Sequence, residues 1–193
     1  MKTNETEDYW IWNNNTLVFK PKFNKPLDDY INIIKNYENL IFSNYKDIAI
    51  CIETNNQYKS EFDKYYLKSE FNQNVNNLPP NLTYLTFGQC FNQAVINLPP
   101  NLTHLTFGNY FNQEVINLPP NITHLTFGWK FNQSVINLPQ NLIHLTFGSN
   151  FNQEVINLPL NITHLTFGRE FNQENINLPQ NITHLTFGVL KAE

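Results

Sequence analysis

Histidine occurs five times in this 193-residue chain, at His104, His124, His144, His164 and His184, each twenty residues after the last. Tyr84 stands one period earlier. Imidazole titrates near neutral pH and ligates metals, so a regular column of it has three chemical readings. The first is a solvent-exposed stacked row that fits a sheet surface. The second is a pH-responsive surface: crowded like charges resist joint protonation, so the column is expected to titrate broadly and below the ordinary value. The third and least favoured is a metal row, because no carboxylate or cysteine recurs beside the histidines to complete a ligand set. Catalysis has weaker support still. No serine, cysteine or carboxylate recurs near the column, and a nucleophile without base and orienting partner is not a site. Cys90 occurs in one period only, and the six glycines share one repeat position rather than forming a phosphate loop. No enzyme activity and no cofactor are expected.

The spacing of the histidines belongs to the whole text around them. Twenty-residue units start at Phe71, Phe91, Phe111, Phe131, Phe151 and Phe171 without insertion. Each is too short to bury its own apolar face, so neighbours must stack on one continuous core. In residues 102–108, LTHLTFG, the apolar Leu102, Leu105 and Phe107 follow L-x-x-L-x-L and point inward. Thr103, His104 and Thr106 then lie on the open, concave face. Gly108 ends the strand, at a tight turn or a close backbone approach. Phe111 recurs as a second inward aromatic column, with Phe91 before it and Phe107 and Phe127 alongside, and Val115, Ile116 and Leu118 follow as further apolar positions. Pro119-Pro120 excludes a helix and favours an extended return across the convex side. The recurrent amides, among them Asn97, Asn101, Asn112, Asn117 and Asn121, are expected to form asparagine ladders that satisfy backbone groups where the return lacks regular partners. The expected fold is α/β leaning to mostly β: a leucine-rich-repeat-like right-handed solenoid with a curved parallel sheet and a helix-poor, proline-containing convex side.

Residues 1–70 hold most of the charged residues and no glycine, yet traces of the repeat persist. Asn36, Leu40, Phe42, Asn44 and Tyr45 lie on Asn101, Leu105, Phe107, Asn109 and Tyr110. Leu17, Phe19 and Phe23 keep the spacing of Leu85, Phe87 and Phe91, and Phe62, Tyr65 and Leu67 match Leu82, Leu85 and Phe87. Residues 1–70 are therefore expected to be an N-terminal cap of worn, longer coils, 71–190 the six repeats and 191–193 a tail. PLDDYINIIKNY predicts one short helix near 27–36, with two aspartates in its first turn. DYWIWNNNTLVFK predicts two strands around an asparagine turn, and IAICI at 48–52 another strand.

Taken together, FNQ, the NLP segment and LTHLTFG resemble the FNIP repeat, a leucine-rich-repeat-like unit of proteins from social amoebae and from giant viruses that infect amoebae. The resemblance covers 71–188. LPPNLTHL also resembles the short leucine-rich repeats of bacterial effectors, which agrees with a proline-rich return. Many FNIP members carry an F-box, which implies substrate capture for ubiquitin ligation. PLDDYINII is the one candidate segment here, and no convincing remainder of that motif accompanies it.

Individuality is confined to a few positions, first among them the two residues after each glycine: Gln89-Cys90, Asn109-Tyr110, Trp129-Lys130, Ser149-Asn150, Arg169-Glu170 and Val189-Leu190. They stack along one rim, where Tyr110, Trp129, Lys130 and Arg169 are the kind of anchors that dominate protein interfaces. Partner contacts are expected from these four together with Tyr84 and the histidine column. A second variable column, Asn74, Ala94, Glu114, Ser134, Glu154 and Glu174, reads as solvated surface. With 12 basic and 16 acidic residues the net charge is -4, so nucleic acid is a poor partner. Two cysteines, an acidic start and the lack of a long apolar run predict an intracellular, cytoplasmic protein with no membrane span. A bare C-terminal coil predicts contact with a second copy, as a homodimer, or with a partner there.

Overall fold

The computed structural model describes residues 6–46, 48–57, 59–174 and 177–188. Nine strands form one sheet in chain order: β1 Tyr9–Asn13, β2 Thr16–Phe19, β3 Asn39–Phe42, β4 Tyr84–Thr86, β5 His104–Thr106, β6 His124–Thr126, β7 His144–Thr146, β8 His164–Phe167 and β9 His184–Phe187. β1 and β2 form an antiparallel hairpin, and every later pair is parallel. The register keeps like with like: Leu17, Leu40, Leu85 and Leu105 lie side by side, as do Tyr84, His104 and His124. A one-residue slip would turn the leucines outward, so the core pins the register. The architecture is a leucine-rich-repeat-like solenoid with few helices.

The core is a double file of phenylalanines. Within a coil, Phe107 stacks on Phe111 at 3.8 Å; between coils Phe107 lies 5.7 Å from Phe87 and Phe111 6.0 Å from Phe91. Phe19 and Phe23 begin the same arrangement at 4.0 Å. Burying each ring contributes about 2–3 kcal/mol by transfer. Gly108 lies where the coils approach most closely: a Cβ there would stand 1.9 Å from the Gly88 carbonyl oxygen, and one on Gly128 2.3 Å from that of Gly108. No glycine among the described residues has positive φ, so close approach, not turn geometry, excludes a side chain.

The amides divide the return path between them. Asn92 Oδ1 accepts from the Asn112 backbone N–H at 2.8 Å and from Gln113 Nε2 at 3.2 Å, and the pattern continues coil by coil. Asn101 and Asn121 donate through Nδ2 to the carbonyls of Pro80 and Pro100 in the preceding coil. Asn97 and Asn117 do something else: with φ of 58° and 55° they occupy the left-handed region, as do Asn137 and Asn157. Asparagine tolerates that region better than other side-chain-bearing residues do. Ile116 departs from its expected place. Val115 is buried and Ile116 is 68% exposed, because the left-handed residue that follows turns the chain before a second apolar side chain can face inward.

Before the repeats, a 3-10 turn Leu27–Tyr30 runs into α1, Ile31–Ile34, and Leu27 and Ile34 pack into the phenylalanine core. The larger departure lies between Phe42 and Phe71. Phe71 stacks on Phe42 at 3.9 Å, as Phe91 does on Phe87 at 3.7 Å, and β3 pairs directly with β4. The residues from Asn44 to Lys68 are therefore an insertion within one coil. Phe62, Tyr65 and Leu67 form no strand; Ser60–Tyr65 is a 3-10 segment. IAICI is not a strand either but helix α2, Ile48–Glu53. The place beside β3 is taken by β4, and a helix pairs its own backbone where no sheet edge is free.

The insertion folds over the open face of the first three strands. Trp10 and Val18, with Ile41 and Trp12 beside them, form a second apolar cluster with Tyr45 and Cys51. Its neck is tied by two amides. Asn44 Oδ1 accepts from the backbone N–H of Ser69 and of Gln89 at 2.9 and 2.8 Å, and Asn56 Nδ2 donates to the Phe42 carbonyl at 2.7 Å.

Candidate functional site

The alternation of β4 to β9 sends leucines inward and leaves Tyr84, the histidines and Thr86, Thr106, Thr126 and Thr146 on the open face. Tyr84 and His104 stack with centroids 3.8 Å apart, and successive imidazoles follow at 4.1 to 4.3 Å. The hydrogen bonds assign the tautomer. The Thr103 hydroxyl donates to the Thr83 carbonyl at 3.1 Å, so its oxygen accepts from His104 Nδ1–H at 2.9 Å. His124, His164 and His184 repeat this with Thr123, Thr163 and Thr183; at His144 the threonine is replaced by Ile143. Nε2 is left as the outward acceptor, and at His104 it takes the Tyr84 hydroxyl at 2.9 Å.

Electrostatics follow from the stacking. Desolvation first, then repulsion from His124 and His144, pulls His104 from 6.5 down to about 4. His124, His144 and His164 are lowered by the same causes. Rings within 6–18° of parallel send their Nε2 lone pairs side by side. They do not converge on one point, as a tetrahedral ion requires.

Beside this row runs a groove of about 720 Å³. Its floor is Thr86, Thr106, Thr126 and Thr146; the rim of Asn109, Tyr110, Trp129 and Lys130 lines it, and so does the insertion, through Asn44, Asn56, Gln57 and Tyr66. The Tyr66 hydroxyl donates to Gln89 Oε1 and so joins insertion to rim. Trp129 is 59% exposed, yet its indole N–H is held by Asn150 Oδ1 at 2.8 Å. Lys130 Nζ sits 4.4 Å above the Tyr110 ring. These anchors are pre-positioned, which reduces the ordering cost of binding. Arg169 is outside the groove and lies 3.8 Å from Glu170 on exposed surface. The pair Val189-Leu190 and the tail 191–193 lie outside the described residues.

The candidates thus fall into two places: Tyr110, Trp129 and Lys130 meet in the groove, while Tyr84 and the histidines form the ridge beside it. The threonine floor and the amide wall are additional. The floor was legible as a recurrent outward threonine. The wall was not, because Phe42 and Phe71 are far apart in sequence and nothing local marks them as one coil. Neither thiol is an activated nucleophile: burial raises Cys51 to about 12 and also raises Cys90.

The FNIP Repeat family model matches residues 71–110, 91–130, 111–150, 131–157 and 151–189, together more than half of the chain. Among solved structures, CroV588, a giant-virus protein described as a novel circular LRR structure, is similar with a TM-score of 0.55 and 35% identity. The alignment covers 94% of this chain and 31% of CroV588, so the chain spans about a third of that protein's length. No curated protein matches it.

Proposed function

The chain belongs to the FNIP-repeat family, and from that premise we propose that it is a non-enzymatic, intracellular scaffold that binds a protein partner through the groove beside the histidine ridge. The observation that carries this reading is the exposed, hydrogen-bonded Trp129 next to Tyr110 and Lys130 over a floor of threonines. Rigid aromatics with amides and hydroxyls are the chemistry of antibody paratopes, which bind proteins with little ordering cost. With a giant-virus protein among its structural relatives, a host protein is the partner to seek first.

Affinity capture with mass spectrometry tests this. A partner retained by the native chain and lost with Trp129→Ala and Tyr110→Ala is expected, since a buried hot-spot aromatic contributes about 2 kcal/mol or more. A partner kept by both variants would sink the groove reading. Recovery of ubiquitin-ligase core subunits would favour a substrate-recognition role instead. That role has to contend with PLDDYINII, whose Leu27 and Ile34 are used by the solenoid core. Metal bound stoichiometrically to the histidines would show in elemental analysis. For the homodimer, the surface to probe is β9, where Leu185 and Phe187 are exposed; sedimentation that stays monomeric at high concentration argues against it.

No helix among the described residues is long and apolar enough to cross a membrane.

A further inference from the structure

In the second to fifth coils the position after the buried valine is apolar and faces solvent. Ile96, Ile116, Ile136 and Ile156 are 57%, 68%, 69% and 63% exposed, and they stack as a stripe on the return side of the solenoid, apart from the groove. One isolated exposed isoleucine needs no explanation, but a contiguous stripe marks an interaction surface. Its purpose is not to support the fold, because the first coil has Asn76 at that place.

Carboxylates border the stripe. Ile136, Ile156 and Glu154 line one shallow groove of about 480 Å³ with Ser134 and Gln153, and the same repeat offset puts Glu114 beside Ile96 and Ile116. Among the described residues neither Glu114 nor Glu154 has a cationic partner. The basic residues of the repeats, Lys130 and Arg169, are both on the rim.

We propose that the isoleucine stripe of the return side is a second docking surface, and that its occupant is a basic amphipathic helix of a partner protein lying along the solenoid axis. Charge complementarity selects the occupant: an apolar row flanked by unpaired carboxylates fits an apolar face flanked by lysine or arginine. Pitch permits it as well. A helix rises about 5.4 Å per turn and successive coils stand 6.0 Å apart at the Phe91, Phe111 and Phe131 column, so one apolar residue per turn meets one isoleucine per coil, with about 2 Å of drift across the stripe. A second copy would set glutamates against glutamates, and an anionic membrane would repel the same carboxylates.

The test uses the full chain and a fluorescent synthetic helix of about five turns, with leucine once per turn between flanking lysines. A second peptide has glutamate in place of the lysines, and a third has the leucines dispersed. Binding of the lysine peptide, weakened by salt and not matched by the other two, is expected. Ile116→Asn with Ile136→Asn and Ile156→Asn should weaken it by at least about tenfold without altering the melting temperature, since Asn76 shows the place accepts asparagine. Glu154→Gln with Glu114→Gln should weaken it by several-fold and flatten its salt dependence. Equal binding of the glutamate or dispersed-leucine peptide, or no effect of the isoleucine variants, overturns the proposal. So does self-association, or binding to anionic vesicles, that the isoleucine variants abolish while the lysine peptide fails to bind.

Discussion

Asn117 and Asn121 are the same residue type four positions apart, yet they serve different ends. Asn121 uses its amide to hold the coil below, whereas Asn117 takes a backbone conformation, φ 55°, that most side chains resist. Asn117→Gly should therefore be close to neutral in chemical unfolding, and Asn117→Ala should cost about 1–2 kcal/mol. An equal loss in both would mean that the amide itself is needed. The histidines are governed by their neighbours in space. Unfolded, they titrate near 6.5; folded, His104 is held to about 4 and His124, His144 and His164 are also lowered. The unfolded chain thus binds more protons between these values, so stability present above about 6.5 is lost as pH falls toward 4, then levels off. Urea midpoints across this range should fall less steeply for His104→Gln with His124→Gln than for the native chain. Parallel profiles would refute that.

At the scale of elements, glycine and the insertion are two sides of one constraint, the tight stacking of coils. A methyl on Gly128 would meet the backbone of the coil below, which cannot rotate away as a side chain could. Gly128→Ala is expected to lower stability by about 1–3 kcal/mol, read from a denaturant midpoint; an unchanged midpoint would mean the coils separate easily. Where the chain has more residues than the coil can hold, between Phe42 and Phe71, the surplus leaves at the rim and returns. Its apolar residues then pack on an apolar surface close by, Trp10, Val18 and Ile41. The alternation of IAICI carries a strand signal, and it fails because sheet pairing depends on a free neighbour, which β4 removes.

For the whole molecule, each repeat coil packs chiefly on its two neighbours, so stability should vary along the solenoid axis. The middle coils have phenylalanine neighbours on both sides, while Leu185 and Phe187 on β9 are exposed. Hydrogen exchange should be slowest for the amides of β5 to β7 and faster for those of β9. Uniform protection would show that the solenoid opens only as one unit. The two surfaces proposed for partners lie on different sides of the same coils, and both are built from columns of residues at equivalent places in successive coils. A solenoid makes such columns from a short text because each coil is held over the last.

Periodicity by itself determined the coil, the inward leucines and phenylalanines, the sheet direction and the histidine row. These depend on local alternation and on the twenty-residue repeat, which stacking converts directly into columns. Only the tertiary structure decided three things: that Asn44 to Lys68 leaves the coil and walls the groove, that IAICI is helical, and that the isoleucines face water. Each depends on what already occupies the neighbouring space: the coil below, the strand alongside or the turn that follows. No local pattern of residues encodes that occupancy.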